Sequence, residues 1–100
     1  MSHRLIVRSE AEADITAAAL WYEDREAGLG LELTAEIRGA IERAAERPLT
    51  YLRFRKDPEV RRILARRFPF RVFFIVRSDA IIVFAVLHAA RHDRHWKKRV

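Results

Sequence analysis

The sequence has no cysteine, so no disulfide can brace the fold and no thiolate can act as nucleophile or metal ligand. A reducing cytoplasm is therefore permitted, and it is the expected location. Long apolar runs are also missing. The longest, Ala80 to Leu87, falls far short of the roughly 20 residues that span a bilayer, and no membrane partner is expected. Met1-Ser2-His3-Arg4 has no long apolar stretch behind it and does not read as a secretion signal. Lysine is scarce, with 3 residues (Lys56, Lys97, Lys98) among 20 basic ones. Tyrosine occurs only at positions 22 and 51, which leaves the C-terminal half almost without phenolic acid–base groups. There is no internal repeat and no low-complexity segment.

What is present fits one soluble α+β domain over residues 1–100. Half of the 100 residues are hydrophobic and 34% are charged, a balance that supports one modest core and argues against disorder. The charge is unevenly placed. Residues 1–50 carry 6 Lys+Arg against 10 Asp+Glu, a net of −4; residues 51–100 carry 14 against 4, a net of +10. Seventeen of the basic residues are arginine, whose planar fork pairs bidentately with carboxylate and phosphate. The C-terminal half is thus expected to meet an anionic partner.

Periodicity orders the elements. His3 to Arg8 reads as a first strand. Ser9 and Glu12 have the spacing of a capping box, and Ala11, Ile15, Ala18 and Tyr22 then line one face of a helix. Ala27-Gly28 stops it. A second helix is expected from about Leu31 to Arg47, with Leu33, Ile37, Ala40, Ile41 and Ala44 inward, and Pro48 ends it. Pro48 to Pro58 reads as a loop. Val60 to Phe68 and Phe70 to Arg77 alternate with period two. Ser78-Asp79 is a two-residue hairpin turn, and Ala80 to His88, apolar on both faces, is expected in mid-sheet. The order β-α-α-β-β-β predicts a helical hairpin on a mainly antiparallel four-stranded sheet.

Three segments in this order resemble the RelE/ParE superfamily, the small toxins of bacterial type II toxin–antitoxin systems, and resemble the ParE branch more than RelE proper. They are Ala11, Asp14 and Ile15 leading to Trp21-Tyr22-Glu23; Arg61-Arg62-Ile63-Leu64 with Arg67-Phe68-Pro69-Phe70-Arg71; and Val86-Leu87-His88 with Arg91 and Trp96. The resemblance implies a cognate antitoxin that wraps and neutralises the toxin. For ParE-like members it implies inhibition of DNA gyrase, and for RelE-like members cleavage of mRNA on the ribosome.

Metal-free RNA cleavage needs a base, an acid and cations for the developing phosphorane charge. His88, at a strand end, with Arg91 and Arg71 is the best trio for that role, and His92 and His95 are possible substitutes. RelE-like nucleases also use a C-terminal tyrosine and lysines near the sheet, and no tyrosine follows Tyr51. The expectation is therefore a non-catalytic inhibitor, with an endoribonuclease as the alternative and a plain nucleic-acid-binding module as a third reading. His88, His92, Asp93 and His95 include metal-ligating types, but no second ligand group occurs elsewhere in the sequence; no metal and no cofactor is expected. Phe73 and Ile75 are predicted to form an apolar strip flanked by Arg71 and Arg77. With Arg61, Arg62, Arg67 and Trp96 they make up the candidate surface for an acidic, amphipathic antitoxin segment. Trp96 has a competing role, packing over the sheet to pin the tail, and Trp21 is a candidate lining of a docking groove.

Overall fold

The computed structural model describes residues 4–100. Among them the order is β1 (Arg4–Val7), α1 (Ser9–Arg25), α2 (Leu29–Glu46), a 3₁₀ turn (Pro48–Thr50), β2 (Leu52–Lys56), β3 (Glu59–Leu64), β4 (Phe70–Val76), β5 (Ala80–His88) and α3 (Arg94–Lys97). The strands form one sheet in the order β1-β5-β4-β3-β2. β1 runs parallel to β5, and every other pairing is antiparallel. No helix among the described residues is long and apolar enough to cross a membrane.

The predicted four-stranded sheet is corrected to five, because part of the stretch read as a loop is β2. All five of its residues are exposed, and a register shift between Arg53 and Arg55 interrupts its pairing, so no buried face betrays it in the sequence. β3 ends at Leu64 rather than Phe68, and His3 lies outside the described residues. The hairpin turn is as expected: the Arg77 N–H donates to Ala80 O at 2.8 Å across Ser78-Asp79.

The capping box does not form. Ser9 is already helical, Arg8 holds the cap position without a side-chain bond, and Glu12 instead takes the Arg38 guanidinium of α2. The helical hairpin closes differently too. Gly28, at φ +90°, precedes α2 rather than merely ending α1, a left-handed conformation that L side chains resist. The Glu23 carboxylate accepts the N–H groups of Gly28 and Gly30, each at 2.9 Å. Gly30 sits where a Cβ would lie 2.6 Å from Ala19 O, so the helices cross in backbone contact. Ala11 and Ile15 of α1 and Leu33, Ile37, Ala40, Ile41 and Ala44 of α2 are buried against Ile63, Val72, Phe74, Ile81 and Val83. This is the core the 3.6-residue period predicts.

A second core lies on the other face of the sheet. Between Phe73↔Ala85 and Phe74↔Val83 the β4–β5 register skips one residue. The bulge leaves Phe84 unpaired and packed with Phe73, Val60, Ile75 and Leu87 under Trp96. β5, between β1 and β4, is therefore covered on both faces, and its unbroken apolar run has its explanation.

Candidate functional site

The strip predicted to await a partner is already covered. Phe73 and Ile75 are buried, and Trp96 of α3 lies on Phe73 with ring centroids 5.3 Å apart and planes 20° from parallel. The reading of Phe73 and Ile75 as an exposed strip is thus corrected, for the chain's own tail occupies that face. Burying an indole and the phenyl beneath it removes several hundred Å2 of apolar surface from water. Two ion pairs fasten the tail. Arg71, buried, donates to Asp93 Oδ1 at 2.9 Å and to the Arg91 carbonyl, and this hydrogen bond holds the Asp93 carboxyl below its ordinary range. Arg99 grips Asp14 of α1 with two nitrogens, at 2.6 and 3.1 Å, and also donates to Phe84 O.

The same pair closes a sheet edge. β1 stops opposite Val83, leaving the rest of β5 without a neighbour on that side. There Asp14 accepts the Val86 N–H at 2.8 Å, and Arg99 serves the Phe84 carbonyl. Beside this edge, between α1 and β5, lies a cavity of about 310 Å3 lined by Ala17, Trp21, Tyr22, Phe70, His88 and Arg91 among others. Trp21, half exposed, does line a groove, with the Arg25 guanidinium 3.2 Å from its ring centroid.

The cavity does not assemble the predicted nuclease trio. His88 pairs with Phe70 in register and meets its ring edge-on at 5.4 Å, on the helix face. Arg71 is on the opposite face with Leu87 and Phe73, tied to Asp93. The sheet stands between them. The Nδ1 atom of His88 accepts the Ala90 N–H at 3.0 Å, which in the neutral ring leaves the hydrogen on Nε2 as a hydrogen-bond donor. Arg91 reaches Nδ1 of His95 at 3.1 Å. Partial burial, and then the charges of Arg91, Arg94 and Lys98, push His95 below its ordinary value. His92 accepts the Arg94 N–H through its own Nδ1. Among the described residues no three His, Cys, Asp or Glu side chains stand close enough to hold a metal.

The remaining candidates separate by partner. Arg61 is on the helix face, bonded to Glu59 and to the carbonyls of Leu49 and Tyr51, and Arg67 pairs with Glu32. Arg77 is exposed just beyond β4. Arg62 is different: it has no carboxylate partner among the described residues and stacks its guanidinium 4.7 Å above the Phe54 ring. Phe54 belongs to β2, which sequence reasoning passed over. The usable signal was the alternation of Leu52, Arg53, Phe54 and Arg55, a period of two in which the apolar members face solvent.

Comparison with known proteins agrees with this architecture. A family described as "ParE toxin of type II toxin-antitoxin system, parDE" matches residues 5–93. A solved chain from the chromosomal ParDE toxin–antitoxin system of P. aeruginosa has a similar fold, with a TM-score of 0.74 at 21% identity over 87% of this chain and 96% of that one. Among curated proteins, none matches the sequence.

Proposed function

The chain belongs to the ParE toxin family of type II toxin–antitoxin systems, and from that membership we propose that it inhibits DNA gyrase and is neutralised by a cognate antitoxin carrying an acidic, amphipathic segment. The family match over residues 5–93 carries the reading. Two features of the chain support it. The C-terminal half has a net charge of +10, which favours encounter with an acidic polypeptide. The groups that RNA cleavage would need are dispersed: Arg71 and His88 are on opposite faces of the sheet, and the sequence supplies no tyrosine after Tyr51. This dispersal weighs against ribosome-dependent mRNA cleavage as the mode of action.

The test is a supercoiling assay with purified chain and purified gyrase. Inhibition of supercoiling or accumulation of cleaved DNA–gyrase complexes is expected, and addition of the antitoxin should reverse it. Unaltered supercoiling, together with new cuts within codons of translated messages that disappear in His88→Ala, would replace this reading with the ribonuclease one.

A further inference from the structure

On α1 the residues that line the cavity beside β5 are Asp14, Ala17, Ala18, Trp21 and Tyr22, a spacing that puts all five on one side of the helix. The two alanines in the middle of that row leave the hollow, since a longer side chain there would fill it. Ala17 is exposed and Ala18 half-buried, so the space opens to solvent. Its volume of about 310 Å3 lies at the small end of ligand pockets, which run from about 300 to 1,000 Å3. Most of the wall is aromatic. Trp21 and Tyr22 meet edge-on at 4.9 Å, Tyr22 and Phe70 at 6.2 Å, and Phe70 and His88 at 5.4 Å, a continuous row of four rings.

The charged groups of the cavity differ in what they have left to offer. Asp14 is its one lining carboxylate, and it is spent on Arg99 and the Val86 N–H. A cation entering here would find no free counter-charge. His88 and Arg91 are not spent. With Nδ1 of His88 taken by the Ala90 N–H, the Nε2 hydrogen remains to be donated. Arg91 gives one nitrogen to His95 and is in none of the ion pairs of the described residues. One turn carries both donors, and it is held from several sides. The Arg91 N–H donates to His88 O at 2.9 Å, the Ala89 N–H donates to Pro69 O at 2.7 Å, and Arg71 holds the Arg91 carbonyl.

We propose that this cavity binds a small planar aromatic carboxylate, its ring against Trp21, Tyr22 and Phe70 over the two alanines and its anionic group at His88 and Arg91. Each part of such a ligand meets a matching need. Its ring gains apolar cover and edge or face contacts with the aromatic row, and its carboxylate accepts from a guanidinium and an imidazole already fixed in place. Other occupants match only in part. An apolar side chain of a partner protein would fill the hollow but leave both donors without an acceptor. A long-chain fatty acid outruns a helical floor that spans about 12 Å from residue 14 to residue 22. The site makes no use of the gyrase reading and stands or falls without it.

The experiment titrates the full chain with 2-naphthoate, with its uncharged amide 2-naphthamide, and with N-acetyltryptophanamide as a mimic of a protein side chain, and follows amide and indole N–H signals by NMR. Naphthoate is expected to bind with a Kd below about 1 mM. It should shift the Trp21 indole and the amides of residues 17–22 and 86–91, and leave the buried Trp96 indole where it is. The amide should bind at least about ten-fold more weakly, because it brings no charge to Arg91. Arg91→Gln should weaken naphthoate by a similar factor, and Ala17→Phe, which occupies the hollow itself, should abolish its binding. Both residues are exposed, so the melting temperatures of these variants should stay within a few degrees of the parent. Should Ala17→Phe disturb the fold, Ala17→Leu is read in the same way. No binding of naphthoate at millimolar concentration overturns the proposal, as do shifts centred elsewhere on the molecule or unchanged binding in either variant. Equal binding of 2-naphthamide overturns the anionic part of it. N-acetyltryptophanamide binding more tightly than naphthoate overturns the whole, by showing that the hollow takes an uncharged side chain.

Discussion

For Trp96 the sequence offered two roles as alternatives, and the stacking on Phe73 shows the ring packed over the sheet. Its ring seals the second core, while its Nε1 is buried without a hydrogen-bond partner. The indole therefore contributes chiefly through apolar contact and shape. Trp96→Ala is expected to cost about 3–5 kcal/mol, the usual range for removing a large aromatic from a core, and to lower the melting temperature by more than about 10 °C in a domain of this size. Trp96→Phe keeps an aromatic ring on Phe73 and should retain most of that stability. Thermal unfolding followed by circular dichroism measures both; a shift of less than about 2 °C for Trp96→Ala would mean that the tail does not seal this face. At the same scale, Arg71 was legible as a recognition arginine by residue type alone, yet it serves inside the fold. Nothing in its spacing distinguishes it from Arg62, which has no carboxylate partner.

Between residue and fold, the α1–α2 hairpin shows how an element is closed by a single carboxylate. Glu23 takes the two glycine N–H groups that open α2, and those bonds hold its carboxyl below the ordinary glutamate value of 4.5. A lowered folded value means that the stabilisation is complete above the unfolded value and is lost as pH falls through the lowered one. Across neutral pH the stability gap between parent and Glu23→Gln should therefore be constant, and it should narrow only below about pH 4.5. Denaturant midpoints measured from pH 3 to 7 test this. A gap that persists unchanged at pH 3 would show that the charge of Glu23 is irrelevant to the turn. The two helices were readable because each buries one stripe at 3.6-residue spacing. β2 was not, because an edge strand with every side chain exposed leaves no buried face to mark it.

Over the whole molecule, the charge division of the sequence becomes a division of surfaces only in part. Some of the C-terminal arginines are spent internally, Arg71 on Asp93, Arg99 on Asp14 and Arg67 on Glu32. The last two reach back to the acidic half and join it to the basic one. What remains unpaired concentrates around β2 and at Arg77 and the tail. Association with an acidic partner should accordingly be steered by charge. Raising salt from about 50 to 300 mM is expected to slow the association rate by roughly ten-fold or more while changing the dissociation rate far less. Stopped-flow fluorescence would read both, and a salt-insensitive association rate would mean that the cations left over do not face the partner.

The 3.6-residue stripes of α1 and α2, the doubly apolar run of β5 and the Ser78-Asp79 turn were determined by the sequence, because each depends on neighbours a few positions away. The family resemblance rested on the same local order. Tertiary structure alone decided which arginines are free, since Arg61, Arg62, Arg67 and Arg71 are one residue type until distant carboxylates and carbonyls claim three of them. It also decided that Phe73 lies under Trp96, 23 positions on, and that β5 has its edge closed while β2 does not. Those outcomes depend on contacts between segments far apart in the chain, which periodicity does not encode.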